Sequence, residues 1–123
     1  MSHLAETFAA AKADNRAALI AYLPAGFPVI AAMVENGVDA VEIGLPYSDP
    51  LMDGPVIQAA VDASLRAGTR IGDVMANVAG VASTGAPTLV MSYWNPIERY
   101  GVQRFASELA AAGGCGVITP DLT

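Results

Sequence analysis

Four short apolar stretches, ALIAYLPAG (18–26), AVEIGLP (40–46), PTLVMSYW (87–94) and GVITPD (116–121), are separated by segments whose apolar residues recur at helical spacing. That alternation is the strongest constraint on the fold, because strand, helix and strand in succession make parallel strands joined by helical crossovers. The strands are nearly continuously apolar, which fits a sheet covered on one face and packed on the other. An open doubly wound sheet would advertise a glycine-rich nucleotide loop after its first strand, and PAGFP (24–28) does not match G-x-G-x-x-G. A (β/α)8 barrel is the better solution. Such a barrel needs about 250 residues, so four strands in 123 residues make half of one, read here as a single domain over 1–123.

The helical segments carry their own punctuation. Ser2 can cap a short helix over Leu4 to Lys12. FPVIAAMVENG supplies a brief second helix, with Pro28 near its start and Gly37 as a stop. PVIQAAVDASLRAG reads as a helix with Pro55 in its first turn, Ile57, Ala60, Val61, Ser64 and Leu65 on one face, and Gln58, Asp62 and Arg66 on the wet face. TRIGDVMANVAGVASTG is a weaker helix, interrupted by Gly72 and Gly80, and a further helix runs from about Val102 to Ala112.

The second strand carries an anomaly, a glutamate among Val41, Ile43 and Leu45. A carboxylate buried there without a partner costs several kcal/mol. Strand side chains alternate, so Val41, Ile43 and Leu45 face the helices while Glu42 and Gly44 point into the barrel, near the strand's C-terminal end where such barrels hold their active sites. Gly44 is expected to leave room there for a ligand. Burial raises a carboxylate's pKa, which suits a group that gives and takes a proton near neutral pH. The competing reading is a structural glutamate paired with an arginine across the barrel.

The loop that follows, YSDPLMDGP (47–55), holds two aspartates four residues apart. Asp49 before Pro50 can simply start a turn, and Asp53 just ahead of Pro55 can cap the next helix. Capping and catalysis are equally compatible with the spacing. If both carboxylates line the rim with Glu42, one can act as acid and base in the apolar interior while another works from the wetter loop. Without a histidine partner or a recognised ligand spacing, a metal site is not favoured. Tyr22 and Pro24, Met91 and Tyr93, and Ile118 and Pro120 share faces at the other strand ends. Together they describe a pocket for a flat apolar ligand, though each taken singly is more often plain core.

Charge and cysteine content narrow the partners. The net charge is −6 and the six basic residues are scattered, which argues against a nucleic-acid partner. The single cysteine, Cys115, has no obvious base beside it and fits a reducing cytoplasm. The N-terminus lacks the basic start and apolar run of a signal peptide, and no stretch reaches the ~18 apolar residues of a membrane span.

These residues resemble a known family, the α subunit of tryptophan synthase. VEIGLPYSDPLMDGPVIQ (41–58) is similar to its signature: the strand-two glutamate, the P-[FY]-S-D-P-x-x-D-G-P loop and the helix after it. YLPAGFP (22–28), MSYWNP (91–96) with a following YG, and ITPDL (118–122) add supporting matches over nearly the whole chain. The resemblance implies a (β/α)8 barrel lyase of tryptophan biosynthesis that cleaves indole-3-glycerol phosphate to indole and glyceraldehyde 3-phosphate, with no cofactor or metal of its own. It implies Glu42 as general acid and base and Asp53 as the group stabilising charge on the indole nitrogen. Tyr22, Met91, Tyr93 and Ile118 match positions lining the indole pocket. Asp49, Pro50 and Asn95 match loops facing a β subunit that carries pyridoxal phosphate and receives the indole in an α2β2 complex.

Two departures stand out. The first crossover is shorter than the resemblance implies, so residues are expected to be missing near 28–31. The family also continues beyond residue 123 through four more strands and a phosphate site. A polypeptide of these residues alone is therefore expected to expose an open sheet edge and to have little or no lyase activity. A non-catalytic half-barrel that binds a partner, or another sugar-phosphate barrel enzyme, are the alternatives.

Overall fold

The computed structural model describes residues 3–49 and 51–122; Ser2, expected to cap the first helix, and Pro50 lie outside the described residues. In chain order the elements are α1 (His3–Ala13), β1 (Ile20–Pro24), α2 (Ile30–Glu35), β2 (Ala40–Gly44), α3 (Pro55–Arg66), α4 (Ile71–Ala82), β3 (Thr88–Met91), α5 (Trp94–Tyr100), α6 (Val102–Ala111) and β4 (Gly116–Ile118). The four strands form one sheet in the order β1-β2-β3-β4, and every neighbouring pair is parallel. Sequential order with parallel pairing is the arrangement of consecutive barrel units.

The core lies between one sheet face and the helices. Val41, Ile43 and Val90 are fully buried and Leu45 nearly so, packed with Val74, Val78 and Val81 of α4 and with Ile97, Phe105 and Leu109 of α5 and α6. The period-two expectation for β2 therefore holds, since Val41, Ile43 and Leu45 meet the helices while Glu42 between them is only half-buried. Tyr22, Leu89 and Met91 are also half-buried, on the opposite, concave face.

Four expectations change. Gly72 and Gly80 do not interrupt α4, which runs unbroken over twelve residues. Val74, Met75, Val78 and Val81 bury one continuous stripe that outweighs the ~1 kcal/mol preference of each glycine for leaving a helix. Helix α5 was not expected from the sequence. Its Pro96 falls in the first turn, where a missing N–H breaks no helical bond, and the Trp94 N–H donates to Asp121 at 3.1 Å. That contact turns the chain after Ile118, so β4 ends at 118 instead of 121. The same helix removes Tyr93 from β3, leaving it as the residue preceding α5.

The C-terminal end of β1 is fastened to the helix layer by polar contacts. The buried Ser64 hydroxyl donates to the Ala25 carbonyl at 2.6 Å, and the Gly26 N–H donates to Asn77 Oδ1 at 2.9 Å. Gly26 has φ +96°, and a Cβ there would lie 2.7 Å from Thr69 Oγ1, so glycine is required for both conformation and space. Ser64→Ala leaves the fully buried Ala25 carbonyl without its donor and is expected to destabilise the chain by about 1–3 kcal/mol. Denaturant unfolding measures it, and a loss below ~0.5 kcal/mol would show that the contact is dispensable.

At the other end of the strands, Arg16 spans both oxygens of Asp39 at 2.9 and 3.0 Å, and Asp39 also accepts the Leu19 N–H at 2.8 Å. The Arg16 hydrogen bond holds the Asp39 carboxyl below its ordinary range. With the Arg16 side chain exposed to solvent, this pair contributes little stability. It does set the point at which the chain enters β1, opposite the candidate site.

Candidate active site

Parallel pairing places Tyr22 beside Glu42, Glu42 beside Leu89, and Leu89 beside Gly116. Residues paired in this way project from the same face, so Glu42 stands in a row between a tyrosine ring and a leucine. The next row toward the C-terminal ends is Pro24, Gly44, Met91 and Ile118. Burial raises the Glu42 pKa. Among the described residues no arginine or lysine pairs with its carboxylate.

Tyr22 is displaced further. Its phenol is pushed up to about 12, first by burial, then by the nearby charges of Asp53 and Glu42. Those influences place Asp53 and Glu42 each within electrostatic reach of Tyr22.

Gly44 needs a correction. The space above it is occupied by the Tyr22 side chain, whose hydroxyl would lie 2.2 Å from a Cβ at position 44. Absence of a side chain there admits the neighbouring ring, not a ligand. Gly44→Ala is expected to swing the Tyr22 ring off the site and drop its phenol from about 12 toward the ordinary 10.0. Ultraviolet titration against a Tyr22→Phe control reads the change, and an unmoved titration would contradict the steric argument.

The two aspartates of the loop have separate surroundings. Asp53 does not cap α3, whose N-cap is Gly54 with no side-chain hydrogen bond. Instead its Oδ1 accepts from the Tyr93 hydroxyl at 2.9 Å, while Gln58 Nε2 donates to the Asp53 backbone carbonyl at 2.7 Å. Gln58, expected on the wet face of α3, is half-buried for this reason. Asp49 is exposed and closes a turn: its backbone carbonyl accepts the Leu51 N–H at 2.9 Å and its carboxylate accepts from Ser48 Oγ at 3.3 Å. Tyr47 bridges Asp49 to α5, accepting from Asn95 Nδ2 at 2.9 Å and lying 3.5 Å from Asp49 Oδ2.

Of the residues expected to line the site, Met91 and Ile118 share a row beside Gly44, and Tyr93 enters from beyond β3 through its contact with Asp53. Leu89, the direct neighbour of Glu42, was not singled out from the sequence, although it precedes Met91 by one strand period. A sizeable hollow lies elsewhere. It has about 480 Å³ and is lined by Pro46, Tyr47, Arg70, Asn95 and Arg99, on the outer side of the strand ends. Among the described residues no three His, Cys, Asp or Glu side chains converge as a metal site, and no helix is long and apolar enough to cross a membrane.

The family described as Tryptophan synthase alpha chain matches residues 8–123. The chain belongs to that family. Tryptophan synthase alpha chains of Thermobifida fusca and Nocardia farcinica are 60% and 58% identical to it, over 99% and 98% of this chain and 48% of each relative. A ligand-free tryptophan synthase structure from M. tuberculosis superposes with a TM-score of 0.95 at 51% identity, over 99% of this chain and 52% of that one. A tryptophan synthase subunit alpha from Legionella pneumophila superposes at 0.91 with 35% identity. The fold is thus that of four β/α units of the tryptophan synthase alpha barrel. The chain spans about half the length of the curated relatives it matches. Their matched stretches of 127 to 129 residues exceed the 123 residues here, so the relatives carry residues that have no counterpart in it.

Proposed function

We propose that this chain supplies the acid–base half of the site at which a tryptophan synthase alpha barrel cleaves indole-3-glycerol phosphate to indole and glyceraldehyde 3-phosphate. The observation that carries this reading is the position of Glu42: barrel-facing, one row below the C-terminal end of β2, unpaired among the described residues, and with its pKa raised by burial. Asp53 at the same rim, held by Tyr93, supports it.

The chemistry follows from those positions. Glu42 delivers a proton to the indole carbon that bears the glycerol chain, and Asp53 balances the positive charge that this places on the ring nitrogen. Glu42, now a base, takes the proton of the hydroxyl on the adjacent side-chain carbon. The bond between that carbon and the ring breaks, its electron pair restores the aromatic indole, and the side chain leaves as an aldehyde. One proton is given and one is taken, so the carboxyl returns to its starting state. Tyr22, Leu89, Met91 and Ile118 supply flat apolar surface for the indole.

This subunit needs no cofactor of its own in that scheme. Its partner is a β subunit that holds pyridoxal phosphate and takes up the indole, with Asp49 and Asn95 facing it, in the cytoplasm. On this reading the residues that only the relatives carry are assigned to the short β1–β2 crossover, near 28–31, where the sequence led us to expect them.

A complete alpha barrel carrying this sequence as its first half, mixed with a β subunit, tests the reading. Indole release from indole-3-glycerol phosphate is the expected result. Stimulation of the β subunit without cleavage would replace it with a non-catalytic binding module.

A further inference from the structure

We propose that Tyr93 is a positioning residue for Asp53: its hydroxyl, hydrogen-bonded on both sides, sets which carboxylate oxygen faces the substrate. The inference rests on the lyase reading above and gives Tyr93, besides its place in the pocket lining, a role that does not require contact with the reacting atoms.

A backbone N–H can only donate, and the Met52 N–H donates to the Tyr93 oxygen at 2.9 Å. The single phenolic proton is therefore directed to Asp53 Oδ1, also at 2.9 Å. Oδ1 is occupied, and Asp53 Oδ2 has no partner among the described residues. That leaves Oδ2 as the acceptor for a ligand N–H.

The only other side-chain contact at Asp53 among the described residues is Gln58 Nε2, which holds its backbone carbonyl and not its carboxylate. Leu51 and Met52 are 60% and 67% exposed, so their side chains give the loop no apolar anchor. The Tyr93 ring, by contrast, is 3% exposed and packs against Tyr47 with centroids 6.1 Å apart. A rigid ring buried at the end of β3 thus reaches across to the loop after β2 and fastens it at two successive residues. A carboxylate held in this way needs no reordering when the substrate arrives.

The test uses the complete alpha barrel with its β subunit and the variants Tyr93→Phe, Asp53→Asn, their double, and Glu42→Gln. Tyr93→Phe is expected to lower kcat for cleavage about 10- to 100-fold with KM little changed. The double variant should be no slower than Asp53→Asn alone, because a positioning effect disappears once the carboxylate is gone. Met52 amide exchange should quicken at least about ten-fold in Tyr93→Phe with the global midpoint retained. Unaltered Met52 exchange, a parental kcat, or multiplicative losses in the double variant would each overturn the assignment. Glu42→Gln separates the two readings. If that variant cleaves like its parent, the lyase reading falls, and Met52 exchange still decides whether Tyr93 fastens the loop.

Discussion

Glu42→Gln in a complete alpha barrel carrying this sequence is expected to cut indole formation by at least about 100-fold, the lower range for loss of acid–base catalysis. Glutamine keeps the size and one acceptor of the side chain but neither gives nor takes the proton, so the loss should fall on kcat. Near-parental turnover would remove Glu42 from the mechanism.

The same substitution has an expected effect on stability, opposite in sense. Burial raises the Glu42 pKa above its ordinary 4.5. A raised carboxyl pKa means that the folded state favours the protonated form. Relative to the unfolded chain, that advantage is full below 4.5 and is lost as pH rises through the elevated folded value. Glu42→Gln should therefore melt above the parent at neutral pH, and the difference should close in acid. The charge needed for chemistry is held at the expense of the fold, which is the usual relation between active sites and stability.

Asp53→Asn should be nearly as damaging to activity, with kcat/KM for cleavage lowered about 10²–10³-fold, the range for removing one electrostatic stabiliser of a charged intermediate. The amide oxygen can still accept the Tyr93 proton, so the loop should stay in place and thermal stability should change little. Indole release in single turnover, beside a melting curve, separates charge loss from loop loss. A variant that melts much earlier would assign Asp53 a structural role in the loop.

Much of this site could be read before the structure. Period-two alternation placed Glu42 opposite Val41, Ile43 and Leu45, and the burial of those three residues agrees. The helix and strand order, the short α2 and the apolar face of α3 at Val61 and Ser64 were also legible, because each rests on local spacing and on proline or glycine at an end. Helix α5 was not, since its start depends on Asp121, 27 positions away in the chain.

The residues alone determined the fold class, the barrel-facing glutamate and the family motif around it, all of them consequences of neighbours within a few positions. Only the tertiary structure decided what the motif's parts touch. Asp53 could have capped α3, but it meets Tyr93 from 40 positions along the chain. Gly44 could have opened onto a ligand, but it admits Tyr22 from the adjacent strand. Both outcomes depend on the register of parallel strands, which brings distant residues side by side and is set by the packing of the whole sheet against its helices.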